Sequence, residues 1–360
     1  MMRRSWALLA AALLAGTAPA SAADLTIVSI DVEGGAATLY ITPDGRSLLI
    51  DTGWPKGRGA PRPAPGDPPP SPSASSAERI VAAARAAGLQ RIDHVVITHY
   101  HVDHVGGLME LVKLFPVREV IDHGPNREAL PPGITPERAA SAPATLYPAY
   151  LSAIAGLKHR TMAAGQRLRI GQLELTAVHS DGQPSPRPLP GSGRAGSGCD
   201  EPAALDDNGG EENPRSLGLL LRWGKARILS MGDATWALEH GLVCPVNRIG
   251  GSDLMFANNH GSAVSNPPAL VASVRPRVVV VNNGPTKGAD AAVLERYRAL
   301  AGTAVWQLHG ALRSPEANTT PERIVNPGRY DDGNLTITVS SDARITLRNP
   351  RTGRSETYSP

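Results

Sequence analysis

The stretch Val95-Val96-Ile97-Thr98-His99-Tyr100-His101-Val102-Asp103-His104-Val105-Gly106-Gly107 decides how the rest of the chain is read. An apolar run leads into four potential ligands within six positions, and two glycines then open a helical segment. His99 and His101 lie two apart, so in extended backbone their rings project from the same side. Asp103 and His104 are adjacent and point differently, which suits a second metal ion beside the first. Three imidazoles and a carboxylate are borderline-to-hard donors, appropriate to Zn²⁺ and tolerant of Mn²⁺ or Fe. Four of the ten histidines fall between residues 94 and 104, a density that an exposed polar turn does not require. The stretch therefore predicts a centre for two divalent metal ions.

Around it, short β-branched runs alternate with helical segments. Strands are expected at 25–32, 37–41, 47–50, 94–98, 119–122, 173–178, 217–222, 226–230, 254–257, 278–281, 304–307, 335–339 and 344–347. Helices are expected at 77–87, 108–115, 136–155, 235–240, 268–274 and 289–300. Pro116 stops the second helix, and Gly88 stands just past the first, where a C-terminal cap belongs. Hairpins first, then strands mixed with helices, predict layered sheets flanked by helices, an α/β class.

A chain of 360 residues with 41 % hydrophobic and only 4 % aromatic content can bury a core, built mostly of Ala, Val, Leu and Ile. Its charge of +3 hints at nucleic acid until the N-terminus is read. Arg3 and Arg4, an apolar run from Trp6 to Ala15, and Pro19-Ala20-Ser21-Ala22 form the pattern of a secretory signal peptide cut after Ala22. The run is shorter than the roughly 18–20 apolar residues a bilayer span needs, and no later stretch supplies one. Residues 1–22 are thus expected to be removed, leaving a metal-binding domain at 23–360 that is secreted or periplasmic. Without Arg3 and Arg4 the balance becomes 34 basic against 33 acidic residues, or +1. No stripe of aromatic and basic residues marks a nucleic-acid groove. Export also bears on Cys199 and Cys244, which in an oxidising compartment are expected to pair. Two cysteines cannot make a four-ligand zinc site, so a metal here must use His and carboxylates.

Two segments read as disordered insertions: 55–76, rich in Pro, Gly and Ser, and 181–214, similar but acidic. Gly191-Ser192-Gly193-Arg194-Ala195-Gly196 matches a dinucleotide fingerprint in letters only. Pro184, Pro186, Pro188 and Pro190 precede it where a strand is required. His94 reads as a packed strand residue. His123 is a loop cap or a cleft residue, and Asn282-Asn283-Gly284 a turn, with a cleft-facing amide as the alternative. Trp54, Trp223, Trp236 and Trp306 read as packing.

The His99–His104 stretch resembles the HxHxDH signature of the metallo-β-lactamase fold superfamily, and the resemblance covers nearly all of the chain after residue 22. Asp51-Thr52-Gly53 resembles the family's early Asp beneath the metals. Asp233, in Leu229-Ser230-Met231-Gly232-Asp233, resembles the carboxylate between them. His260, in Asn259-His260-Gly261-Ser262, resembles the last ligand of the second metal, and His179 the third histidine of the first. The resemblance implies a four-layer αββα fold of two mixed sheets flanked by helices. It implies one ion on His99, His101 and His179, and the other on Asp103, His104 and His260, with Asp233 bridging. Residues 30–36, the sheet leading to Asp51, and 213–232 resemble the competence-type branch, typified by the extracytoplasmic domain of a bacterial DNA-uptake channel. Glu33-Gly34-Gly35-Ala36 departs from that branch's Gly-Gln-Gly-Asp, and Asn259-His260 from its paired histidines, so its substrate does not carry over.

Two such ions lower the pKa of a shared water from about 15.7 towards 7, giving a hydroxide that attacks a carbonyl or phosphorus. Asp103 is the expected catalytic carboxylate, orienting that water. No GxSxG nucleophile pattern competes. The expected function is an exported metal-dependent hydrolase acting on a small-molecule or phosphodiester substrate, most naturally a phosphodiester or related ester. β-Lactam or lactone hydrolysis is the second reading, and a non-catalytic, metal-stabilised envelope module the third.

Overall fold

The computed structural model describes residues 24–59, 74–205 and 210–360. The signal segment 1–22 and residues 60–73 of the Pro-rich stretch lie outside the described residues.

Two nine-stranded mixed sheets face one another. In the first, the hairpin strands Leu25–Ser29, Thr38–Ile41 and Ser47–Ile50 run antiparallel. Ile92–Val96, Val117–Asp122 and Lys158–Thr161 continue the sheet in parallel. Leu335–Val339, Ile345–Arg348 and Ser355–Tyr358 complete its other edge. In the second, Ala226–Ser230, Leu254–Phe256, Val278–Val281, Ala304–His309 and Ile324–Asn326 are parallel. Gly218–Trp223, Leu173–Ser180 and Arg167–Ile170 extend that sheet antiparallel, and the two-residue strand Gln183–Pro184 pairs with Leu173–Ser180.

The side-chain alternation of a strand sorts these residues into three apolar layers. Leu48, Val96 and Ile121 face inward and meet Leu219, Ile228, Leu254, Val278 and Val280 between the sheets. Their neighbours Leu49, Val95 and Val120 face outward, under helices Ser76–Ala86, Leu108–Leu114 and Pro143–Ile154. On the far side Leu229, Met255, Val279 and Val281 pack under Trp236–Val243, Pro268–Val274 and Ala291–Arg298. The expected αββα layering is thus observed. It explains why the central strands read as unbroken apolar runs, since both faces are buried.

The expected helix at 136–155 is two helices, Pro136–Ala139 and Pro143–Ile154. Pro143 disfavours helical backbone at the preceding residue, and Ala142 accordingly has ψ 147°. Five strands were not expected: Lys158–Thr161, Arg167–Ile170, Gln183–Pro184, Ile324–Asn326 and Ser355–Tyr358. All are short, and most of their side chains stay polar or exposed.

The stretch expected to be disordered at 181–214 has fixed partners over its described residues. Cys199 is bridged to Cys244. Trp236 Nε1–H donates to Pro202 O at 2.8 Å, and Ala269 N–H to Glu201 Oε1 at 2.6 Å. At the end of the Pro-rich stretch, Ser75 caps helix Ser76–Ala86 in a reciprocal box with Glu78. Among the described residues no helix is long and apolar enough to cross a membrane.

Candidate metal centre

Parallel strands that end together place the loops after them on one rim, the rule for ligand sites in open sheets. Asp51 follows Ser47–Ile50, and Thr98 to His104 follow Ile92–Val96. From the second sheet Asp233 follows Ala226–Ser230, and His260 follows Leu254–Phe256. The backbone bends sharply to deliver them. Asp51, Asn259 and His260 all have positive φ, at 60°, 49° and 53°. Left-handed backbone costs a non-glycine residue roughly 1–2 kcal/mol, and such strain concentrates at functional sites. His101 immediately precedes the short helix Val102–Val105, which carries Asp103 and His104. Gly107 lets that turn approach the first sheet: a Cβ there would lie 2.0 Å from Thr52 O.

Three imidazoles have their outer nitrogens assigned by different partners. His104 Nδ1 lies 2.8 Å from Asp51 Oδ2, so it donates. Asp51 also accepts from Thr98 N–H and Oγ1–H, both at 2.8 Å, which leaves the Thr98 hydroxyl oxygen to accept from His99 Nδ1–H at 3.0 Å. His260 Nδ1–H donates to Asn282 O at 3.0 Å. All three Nε2 atoms therefore turn inward. His104 Nε2 is 3.1 Å from His260 Nε2, and His99 Nε2 is 3.0 Å from His101 Nδ1.

Two carboxylates close the ring. Asp233 lies 3.3 Å from His104 Nε2, 3.6 Å from His260 Nε2 and 4.0 Å from His99 Nε2. Asp103 Oδ2 is 3.0 Å from His260 Nε2 and 3.4 Å from His104 Nε2, and Lys287 Nζ touches it from the solvent side. Two sets, His99–His104–Asp233 and Asp103–His104–His260, thus bring their donor atoms within 4.8 Å of one another.

Burial pushes the Asp233 carboxyl up, yet His104 and His260 hold it well below the carboxylate range. Asp103 is likewise held low against burial, chiefly by Lys287 and His104. Burial works against a charged His104, but Asp233, Asp103 and Asp51 together raise it well above an ordinary imidazole. His99 goes the other way, lowered by burial and by His104. Buried carboxylates outnumber the fixed cations that reach them, so the cluster draws positive charge into its middle. Inward Nε2 atoms and ionised carboxylates are the donor set of a hard-to-borderline divalent ion, with outer partners already orienting each ligand. The residues fit the metals that the sequence implies.

The structure brings together His99, His101, Asp103, His104, Asp233 and His260. His179 stands at the end of Leu173–Ser180, fully buried and outside both sets. Its ring fills the space over Gly218, where a Cβ would sit 2.1 Å from Nε2. Neither ring nitrogen makes a full hydrogen bond among the described residues, and burial pushes it down to about 4 against a weak pull from the Ser216 backbone. His94 faces Glu119 on the adjacent strand, at 3.0 Å, as a packed strand residue. Trp223 and Trp306 are core, whereas Trp54 carries Lys287 Nζ over its ring at 4.9 Å.

Sequence reasoning missed Thr98, Glu128, Glu212 and Lys287. A third acidic set, Asp31, Glu33 and His309, also falls within ligating distance, but Arg79 pairs with both of its carboxylates.

Residues 31–272 match the family model described as the metallo-beta-lactamase superfamily. A 66-residue stretch is 42 % identical to hydroxyacylglutathione hydrolase of Alkalilimnicola ehrlichii, covering 18 % of this chain and 24 % of that protein. The chain thus spans about a quarter of the length of that relative. Among solved structures, the metallo-beta-lactamase fold protein YhfI from Bacillus subtilis is similar at 12 % identity and TM-score 0.43, over 79 % of this chain and 96 % of that one. Tm1679, described as a metal-dependent hydrolase of the beta-lactamase superfamily, is similar at 12 % identity and TM-score 0.42, over 79 % and 95 %. Matched by the family model over two thirds of its length, the chain belongs to the metallo-beta-lactamase superfamily.

Proposed function

We propose that the chain is an exported hydrolase that holds two divalent ions, Zn²⁺ foremost, and cleaves a phosphodiester or related ester. The observation that carries this reading is the convergence of His99, His104 and His260 Nε2 with the Asp103 and Asp233 carboxylates. In it, His99, His101 and His179 hold one ion and Asp103, His104 and His260 the other, with Asp233 between. Such ions, when bound, lower the pKa of a coordinated water and offset charge developing on the substrate.

The chain's residues do the rest. Asp51, Thr98 and the Asn282 carbonyl hold the Nδ1 protons of three ligands, fixing their tautomers and ring angles. Asp103 is kept ionised and accepts a hydrogen bond from the attacking water, orienting it. Lys287, at the solvent side of Asp103, presents positive charge to an incoming anionic group. Export is supported by the pattern of residues 1–22 and by the Cys199–Cys244 bridge. The Lys287 ammonium beside Asp103 supports an anionic substrate such as the phosphodiester. The short match to a hydroxyacylglutathione hydrolase favours an acyl substrate as the second reading.

A panel of bis(p-nitrophenyl) phosphate, nitrocefin and a simple lactone, each with and without chelator, tests this. Chelator-sensitive turnover of the phosphodiester is the expected result. Turnover indifferent to chelator overturns the metal-dependent reading, and silence on all three with two ions bound favours a binding module.

A further inference from the structure

The acidic run ending at Glu212 has the composition of a solvated loop, yet Glu212 is completely buried. Its Oε2 accepts the backbone N–H of Tyr100 at 3.1 Å and lies 3.3 Å from Nε2 of the buried His123. Tyr100 stands between His99 and His101, so the backbone that joins two candidate ligands is tied to this carboxylate. Glu212 Oε1 and His123 Nδ1 have no partner among the described residues. Taking an incompletely bonded carboxylate out of water is costly. A surface loop under no other demand would leave it exposed.

The surrounding chain holds Glu212 in place. Glu128 Oε2 accepts the N–H groups of both Glu211 and Glu212 at 3.1 Å. The same oxygen is 3.9 Å from His101 Nε2. Arg127 and Arg215 grip Asp181 from opposite sides, at 2.8 and 2.7 Å, closing the segment against the strand end that carries His179. Glu212 and Glu128 thus reach Tyr100 and His101, and the two arginines reach Asp181, two residues past His179, whereas His104 and His260 receive no such contact.

We propose that Glu212, fastened by Glu128, is a positioning residue for the ion held on the His99–His101 side, and that segment 210–215 is part of the metal centre. The carboxylate fixes the Tyr100 peptide, which sets the relative angle of the two rings. This rests on the two-ion reading of the site. Residues that orient metal ligands from behind are worth roughly 10- to 100-fold in metal affinity.

Co²⁺ titration of the chelator-stripped full chain tests it, read by visible absorption and by metal per chain after gel filtration. Wild type takes up two ions. Glu212→Ala is expected to weaken one ion by roughly 10- to 100-fold and alter its absorption, leaving the other unchanged. Glu212→Gln, which retains an oxygen acceptor for Tyr100 N–H, restores most of the loss. Glu128→Ala, at a partly exposed side chain, releases Glu212 without emptying a buried position, and decides the matter if Glu212→Ala does not fold. Folded alanine variants with wild-type affinities and absorption for both ions overturn the proposal. So does equal weakening of both ions alongside a lower thermal midpoint of the ion-free chain, because that is general loosening. A wild-type chain that binds fewer than two ions shows, before any variant is made, that the two-ion reading beneath the proposal has failed.

Discussion

Asp51, Thr98 and Asn282 each take one imidazole proton, and that division of labour makes a metal centre out of scattered side chains. Removing a ligand should therefore differ from removing packing. Asp233→Ala and His101→Ala are expected to abolish chelator-sensitive hydrolysis while the circular dichroism spectrum stays that of the folded chain. Full activity in a folded Asp233→Ala variant contradicts a two-ion centre. Gly218 is needed for space: an alanine there drives its Cβ into the His179 ring, which has nowhere to move among buried neighbours. Gly218→Ala should cost about 1–3 kcal/mol in urea unfolding, as overpacking does, and weaken metal binding as well. Glu239 sets a pH dependence at this scale. Burial pushes its carboxyl up to about 8 from an ordinary 4.5, the Asn258 and Asn266 hydrogen bonds notwithstanding. Between those values the native state keeps a proton that the unfolded chain has lost. The stability it contributes is full below about 4.5 and is lost as pH rises through about 8. Unfolding free energy measured across that window should fall less steeply in Glu239→Gln, and parallel slopes would count against the assignment.

At the scale of elements, legibility followed locality. The His99–His104 segment could be read because its ligands share one short stretch, and the strands 47–50, 226–230, 278–281 and 335–339 because their apolar runs are self-contained. Lys158–Thr161 escaped because all four of its side chains are exposed, so its sequence carries no burial signal. Composition misleads for the described residues of 181–214: their order comes from a covalent tie and from single long-range partners, not from apolar residues of their own. The Cys199–Cys244 bridge closes a span of 45 residues. Replacing both cysteines by serine should lower stability by about 2–4 kcal/mol, measured as a shift of the urea midpoint, and reductant should do the same to wild type. An unshifted midpoint in both cases would mean the bridge adds no stability.

For the molecule as a whole, two sheets set rim to rim bring together residues that the sequence keeps far apart. His104 and His260 are 156 positions apart, Asp103 and Lys287 184, and Tyr100 and Glu212 112. Layered sheets flanked by helices and the ligands on the HxHxDH stretch could be named from sequence, with the four-layer order, Asp233 and His260 added by resemblance. Thr98, Glu128, Glu212 and Lys287 could not, because each acts through contacts with residues distant in sequence that no local pattern announces. The central claim is that this rim holds two divalent ions. Elemental analysis of the purified chain, before and after chelation and beside Asp233→Ala, tests it most directly. Two ions per chain, lost together with hydrolysis on chelation and reduced to one or none in the variant, is the predicted result. Fewer than two ions in an active wild-type chain, or two retained by the variant, would contradict it.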